Sequence, residues 1–297
     1  MTELPVVFIH LGGIPTYLRE AIAQAASFGN QIYLLTDTPP HDALMNACVV
    51  DIKPYSLDKV VFASRYQHMS SNPFEFEFIC IYRWFILKNF MRIRGLNRVL
   101  YLDSDVYLYS HTSEIEQHYE DQSFEFAYSV PKDQTDFYWA GTACCAIWTT
   151  NGIARFCELI LALYEPGCHN LLHDKWAWHQ RSNTPGGVCD MTLLYAFAKE
   201  DGFLNLGVPH RGSTFDFNNR IADNHVRDEF QFGESPVFRA KTKSLVFSDG
   251  KPFCYHLPSQ QHIRFFAVTE YAKLMASSRR KSLWERITGR LRTGHRG

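Results

Sequence analysis

The sequence lacks the cysteine spacing of a structural zinc or redox site. It contains eight cysteines, no two of them are separated by two residues, and most stand in apolar runs. We therefore expect reduced, buried thiols. Internal repeats and low-complexity linkers are also absent. We therefore expect a single domain that comprises residues 1–276, followed by a tail that comprises residues 277–297.

The chain opens without the basic start and long apolar stretch of a signal peptide, and no run of about 18 apolar residues occurs anywhere. These absences predict a cytoplasmic protein, neither secreted nor membrane-spanning. An excess of positive charge is missing too, because the formal net charge is −1. Nucleic acid is therefore not an expected partner.

The positive charge that is present concentrates in the tail, where residues 279–297 carry seven Lys or Arg against Glu285 alone. On a helix, four apolar residues of this segment would share one face, and basic residues would occupy the rest. Such a helix can lie on an anionic membrane, and the alternative is a solvated tail. The apolar residues of that face are Leu283, Trp284, Ile287 and Leu291.

Two apolar runs near the start of the chain, joined by a segment with helical spacing, predict a β-α-β unit. The first run ends at His10 and is followed by Gly12, and the second ends just before Asp37. Ligands of such units bind beyond the carboxyl ends of the strands, so these three residues are candidate ligand contacts.

A second unit begins at residue 74, where aromatic and aliphatic residues repeat with helical spacing up to Arg94, and Gly95 is a typical helix C-cap. A continuous apolar run over residues 99–102 then predicts a buried strand that ends at Asp103 and Asp105. Both carboxylates can reach one metal ion only if the strand ends and the chain turns there.

Hard carboxylate oxygens suit Mn²⁺ or Mg²⁺, and the two phosphates of a nucleotide-sugar would complete the shell of such an ion. Asp103 and Asp105 are therefore candidate metal ligands that would hold the diphosphate of a sugar donor. The alternative is a solvated turn with a capping aspartate.

Residues 81–109, IYRWFILKNFMRIRGLNRVLYLDSDVYLY, resemble the glycosyltransferase A fold, and most closely the retaining families related to glycogenin and to bacterial lipopolysaccharide galactosyltransferases. The resemblance implies an α/β, Rossmann-like domain with a mixed, mainly parallel central sheet. It also implies metal-dependent transfer of a sugar, with retention, from a UDP-sugar or similar donor to a glycan or lipid-linked acceptor.

Carried over residue by residue, the resemblance makes Arg83 a donor contact, Gly141 part of the donor-binding turn and His256 a third metal ligand beside the acidic pair. Asp190 falls where the family has an aspartate ahead of a helix. It would contact the sugar or act as a base, and the alternative is a plain helix N-cap. The predicted donor contacts are His10, Gly12, Asp37, Arg83, Asp103, Ser104, Asp105 and Gly141.

Residues 152–164 read as a helix with Asn151 as a candidate N-cap. Residues 165–187 read as a long loop, and Cys168, His169, His173 and His179 within it raise a weaker zinc hypothesis. The competing functions are a haloacid-dehalogenase-type phosphohydrolase, whose opening motif is also a strand followed by Asp-x-Asp, and a non-catalytic sugar- or membrane-binding module. A phosphohydrolase would carry the motif near its N-terminus, whereas here it lies at residue 103. It would also add a downstream acidic pair at a strand end, whereas Glu120 and Asp121 follow a predicted helix too soon after the motif.

Overall fold

The computed structural model describes residues 4–40, 46–108, 110–130, 137, 140–141, 144–167, 171–206 and 210, together with the backbone of three short strands beyond them. The strands, in chain order, are β1 (Val6–His10), β2 (Ile32–Thr36), β3 (Cys48–Asp51), β4 (Arg98–Leu102), β5 (Val106–Leu108), β6 (Phe126–Tyr128), β7 (Cys145–Thr149), β8 (Phe203–Asn205), β9 (Pro236–Arg239), β10 (Ser244–Phe247) and β11 (Ala267–Thr269). The helices are α1 (Thr16–Ala26), α2 (Lys59–Arg65), α3 (Phe74–Arg94), α4 (Thr112–His118), α5 (Thr150–Leu163), α6 (Leu171–Ser182) and α7 (Asp190–Phe197).

Seven of these strands form one sheet in the order β3-β2-β1-β4-β7-β6-β8. All neighbours pair in parallel except β7, which runs antiparallel to both β4 and β6. The predicted α/β class with a mixed, mainly parallel central sheet is therefore confirmed. The short strand β11 pairs antiparallel with β5 outside this sheet.

The strands are apolar on both faces because helices cover both sides of the sheet. In β1, Val6 and Phe8 pack with α1 in one core, whereas Val7 and Ile9 pack on the opposite face with α3 and α5. Alternation along a strand thus supplies two cores from one segment. The result is a three-layer α/β/α sandwich.

Helix α3 matches its predicted bounds. Its buried side is filled with large apolar residues such as Trp84 and Phe85, and the chain leaves the helix at Gly95, whose φ of 66° is the left-handed conformation of a C-cap. The helix spans the sheet on the side opposite α1, so its middle passes beneath the end of β4. This position brings Arg83 to the acidic pair.

Two local predictions were wrong. Residues 165–187 contain helix α6, which buries Lys175 and His179 beside Leu172, so its buried face is not the apolar stripe that marks a helix in a sequence. The N-cap of α5 is Thr149, whose hydroxyl accepts from the amide of Gly152, and the predicted cap Asn151 instead donates to Glu125. Within the described residues, no helix combines the length and apolarity needed to cross a bilayer.

Candidate functional site

The acidic pair lies at the point where the order of the strands reverses. From β1 the chain adds β2 and β3 on one side, then returns to place β4 on the other side of β1. Such a switch point opens a crevice beyond the carboxyl ends of the two central strands, and ligands of open α/β sheets bind there. His10 ends β1, and Asp103 follows β4.

Strand β4 stops where the sequence predicted. The amide of Asp103 donates to the carbonyl of Cys144 at 2.8 Å, and the amide of Val106 then donates back to the carbonyl of Asp103 at 3.1 Å. This turn places Asp103 and Asp105 outside the strand geometry that would have pointed them to opposite faces. Asp105 is close enough to help raise the pKa of Asp103.

The carboxylate of Asp103 is held through one oxygen. Arg83 donates to Oδ1 at 2.6 Å, and the hydroxyl of Tyr101 donates to the same oxygen at 2.7 Å. Burial raises the pKa of Asp103, and Arg83 and Tyr101 oppose that rise. Because both donors occupy Oδ1 and a quarter of the side chain remains exposed, Oδ2 is left for a ligand.

Arg83 joins Asp103 to Asp190. Its second terminal nitrogen donates to Oδ2 of Asp190 at 2.6 Å, so one guanidinium bridges carboxylates that are far apart in the sequence. The group lies about 5 Å from the ring centroids of Trp84 and Tyr101, at 5.0 and 5.3 Å. Burial alone would lower the pKa of Arg83, but Asp103, Tyr101 and Asp190 outweigh it and raise that pKa well above the ordinary value.

Asp190 is the first residue of α7 and is not its N-cap, because Cys189 holds that place. The plain N-cap interpretation is therefore wrong. Only 6% of the Asp190 side chain is exposed. A buried carboxylate that is paired with Arg83, which also holds Asp103, is a candidate functional group.

The remaining predicted donor contacts include residues at the ends of neighbouring strands, since His10 ends β1, Asp37 follows β2 and Ser104 lies in the turn after β4. His10 Nδ1 is 2.9 Å from Ser104 Oγ, which links the end of β1 to the turn of the acidic pair. The amide of Gly12 donates to Oδ1 of Asp37 at 2.7 Å, and Gly12 has a φ of 91° that favours glycine.

Gly141 lies against the start of α7. Its amide donates to the carbonyl of Met191 at 2.8 Å, and a Cβ there would approach Leu194 Cβ to 2.9 Å. Its sequence-predicted donor contact stays a prediction, while the structure supplies a packing reason for glycine at this position.

His256 lies outside the described residues, and so do Cys168, His169 and the tail. Within the described part of the chain, no group of three or more His, Cys, Asp and Glu is arranged to hold a metal ion. His173 instead lies 3.2 Å from Gln67, and His179 Nδ1 lies 3.1 Å from the carbonyl of Thr184.

Sequence reasoning missed two residues of this site, Tyr101 and Glu77. Tyr101 lies near the end of β4, two residues before Asp103, and its hydroxyl reaches that carboxylate. Glu77 is an acidic residue that is only 1% exposed. In the sequence, Glu77 is one of two acidic residues, with Glu75, in the aromatic-rich start of α3.

No protein-family model matches this sequence, and no curated protein matches it. Solved structures with a similar fold include mouse xyloside xylosyltransferase 1 in its apo form, at 10% identity and a TM-score of 0.49 over 76% of this chain and 91% of the other. The apo form of the glycosyltransferase GlyE from Streptococcus pneumoniae TIGR4 is 16% identical, with a TM-score of 0.39 over 69% of this chain and 46% of the other. A glycosyltransferase involved in the glycosylation of the major capsid of PBCV-1 is 12% identical, with a TM-score of 0.33 over 75% and 91% of the two chains.

Proposed function

We propose that this chain is a metal-dependent glycosyltransferase that moves a sugar, with retention of configuration, from a nucleotide-diphosphate donor such as a UDP-sugar to a glycan or lipid-linked acceptor. The observation that carries the proposal is the bridge from Asp103 through Arg83 to Asp190 at the switch point of the sheet. It joins a carboxylate suited to a metal and diphosphate to a carboxylate suited to a sugar hydroxyl.

The donor set of the site fits a divalent cation. Asp103 and Asp105 provide hard oxygen ligands, and Asp103 has its Oδ1 fixed by Arg83 and Tyr101 while Oδ2 remains for coordination. In this proposal, Mn²⁺ or Mg²⁺ would be held by Asp103, Asp105 and His256. When bound, it would offset the negative charge of the departing nucleoside diphosphate.

The protein's own groups orient the reactants. Arg83 holds both carboxylates in place, so that neither has to reorganise when substrate arrives. Asp190 accepts a hydrogen bond from the attacking hydroxyl of the sugar acceptor. The nucleotide of the donor would lie beyond the ends of β1, β2 and β4, where its proposed contacts are His10, Gly12, Asp37 and Ser104, with Gly141 as a further one.

The activity class is tested by incubating the protein with Mn²⁺ and a panel of nucleotide-sugars, with a simple phosphate ester in parallel. A glycosyltransferase slowly hydrolyses its own nucleotide-sugar to free sugar and nucleoside diphosphate, because water can replace the sugar acceptor. Release of phosphate from the ester would instead indicate a phosphohydrolase, and no turnover or binding of any donor would indicate a binding module.

A further inference from the structure

Glu77, in the first turn of α3, is a buried carboxyl group to which the proposed function gives no role. It is 1% exposed, and carboxylates are almost never fully buried unless they are paired. Its Oε1 accepts from the hydroxyl of Ser70 at 3.1 Å and from the side-chain amide of Asn72 at 2.6 Å. Its Oε2 is buried and has no hydrogen-bond partner among the described residues.

The segment that Glu77 holds is one half of a contact that we call the loop bridge, formed by residues 69–72 and 186–188. Val188 donates from its amide to the carbonyl of Met69 at 2.7 Å, and Ser71 donates to the carbonyl of Gly186 at 2.9 Å. Gly186 donates in turn to the hydroxyl of Ser71 at 2.8 Å. Ser70 and Gly187 are paired in an isolated antiparallel bridge.

The loop bridge leads directly into Asp190, with only Cys189 between them. The carboxylate of Asp190 is thus located from two directions, by Arg83 from α3 and by the backbone of residues 186–188 from the loop bridge. Without the loop bridge, the start of α7 would keep the ion pair to Arg83 and the hydrogen bond from Gly141 to Met191, but the backbone that leads into Asp190 would lose its pairing.

A negative charge on Glu77 is unfavourable at this position. Burial raises the pKa of Glu77, and the nearby carboxylate of Asp190 raises it further. The hydrogen bonds from Asn72 and Ser70 act in the opposite direction. Both of these bonds go to a single oxygen. A neutral carboxyl or an amide could therefore accept them equally well and would not repel Asp190.

We propose that Glu77 is a positioning residue for Asp190, which it keeps in place against Arg83 by anchoring the loop bridge through Oε1. This inference rests on the proposed role of Asp190 toward the sugar acceptor. It predicts that the hydrogen-bond acceptor at position 77 is needed and that a negative charge there is not.

The test compares Glu77→Ala with Glu77→Gln by two measurements. The first is steady-state turnover of a nucleotide-sugar with Mn²⁺, together with the affinity for UDP. The second is hydrogen exchange of residues 186–190. We expect Glu77→Ala to lower turnover about 10- to 100-fold, as a small misplacement of a reacting group does, with UDP affinity changed less than about twofold. We also expect faster exchange at Gly186 and Val188, and Glu77→Gln should restore both readouts.

Asn72→Ala removes the shorter hydrogen bond and should change both readouts in the same direction, which keeps the test available if Glu77→Ala does not fold. The proposal is overturned if Glu77→Gln is as defective as Glu77→Ala, if UDP affinity falls in parallel with turnover, or if exchange at residues 186–190 is unchanged. Failure of the proposed function is a different result. In that case the wild-type protein turns over no donor, and hydrogen exchange alone decides whether Glu77 anchors the loop bridge.

Discussion

Arg83 makes two hydrogen bonds to two different carboxylates through its two terminal nitrogens. Only a planar guanidinium presents donors in that fork, whereas the ammonium of lysine is a single point charge. The resemblance in the sequence suggested that Arg83 contacts the donor. The structure adds that Arg83 fixes the relative positions of Asp103 and Asp190.

Replacing Arg83 therefore tests both stability and function. We expect Arg83→Met to lower the free energy of unfolding by about 3 kcal/mol, because it leaves two buried carboxylates without their partner. Arg83→Lys should cost less but should still reduce donor turnover. Urea unfolding checks the first effect. The control is Arg92→Lys, because Arg92 is an exposed arginine of the same helix. Its free energy of unfolding should stay within about 0.5 kcal/mol of wild type. A loss in Arg92→Lys equal to that in Arg83→Met would contradict the explanation.

The buried Lys175 predicts how the stability of the protein depends on pH. Burial lowers the pKa of Lys175 from 10.5 to about 8, so between these two values the unfolded chain binds more protons than the folded one. Stability contributed through Lys175 therefore rises as pH increases from about 8 to 10.5. The expected span is roughly 3 kcal/mol, from the 1.36 kcal/mol that each pKa unit represents.

The measurement is urea unfolding of wild type and Lys175→Met at several pH values between 7 and 10.5. The variant lacks the titrating group, so the stability of wild type relative to the variant should increase across that window. Lys59→Met, at an exposed position of α2, is the control and should follow wild type. Parallel curves for Lys175→Met and wild type would show that Lys175 is not desolvated.

At the scale of elements, helix α3 was predictable because its composition, its aromatic spacing and Gly95 all indicate the same structure. The strand end at Leu102 was predictable for a similar reason, since an apolar run stops at two carboxylates. Helix α6 was not, because its buried positions include Lys175 and His179. A segment that buries polar residues has no apolar stripe for sequence reasoning to find.

The residues of the site also divide into those that the sequence predicts and those that only the packing of the chain brings together. Asp103 and Asp105 were proposed from their place after a predicted strand, and Asp190 was proposed from the resemblance. The contact between Arg83 and Asp190, however, joins residues 107 positions apart, and only the packing of α3 on α7 creates it. The loop bridge was missed because its backbone pairing depends on how closely two loops approach each other.

A substitution at Gly187 tests how closely the two segments of the loop bridge approach each other. The φ of Gly187 is 144°, and a Cβ would lie 2.3 Å from the carbonyl oxygen of Met69 and 2.6 Å from Ser70 Cα. Since backbone atoms cannot move aside cheaply, Gly187→Ala should destabilise the protein by about 2 kcal/mol or more. Thermal unfolding provides the measurement.

Gly167→Ala is the matched control. Gly167 also has a positive φ, of 79°, but a Cβ there would meet nothing within 4 Å. It should show only the conformational cost of about 1 kcal/mol. Equal losses in the two variants would mean that the loop bridge contributes no steric constraint at Gly187.

At the scale of the whole molecule, the sequence separates a mildly acidic body from a basic tail. A tail that binds anionic lipid would bring a lipid-linked acceptor to the crevice. Deleting residues 279–297 should move the protein from the membrane fraction to the soluble fraction of a cell lysate. Unchanged partitioning of the shortened chain would exclude the tail as the membrane-binding element.

The central claim is that Asp103 and Asp105 hold a metal ion that binds the diphosphate of the donor. Calorimetric titration of UDP into the protein, with Mn²⁺ and again with EDTA, tests it most directly. Asp201→Asn is the control, because this exposed residue precedes the edge strand β8, whereas the acidic pair follows the central strand β4.

Wild type and Asp201→Asn should bind UDP only when Mn²⁺ is present. Asp103→Asn and Asp105→Asn should each lose at least about tenfold in affinity, which corresponds to 1.4 kcal/mol. UDP affinity that is unchanged in both acidic-pair variants, or that does not depend on Mn²⁺, would contradict the account.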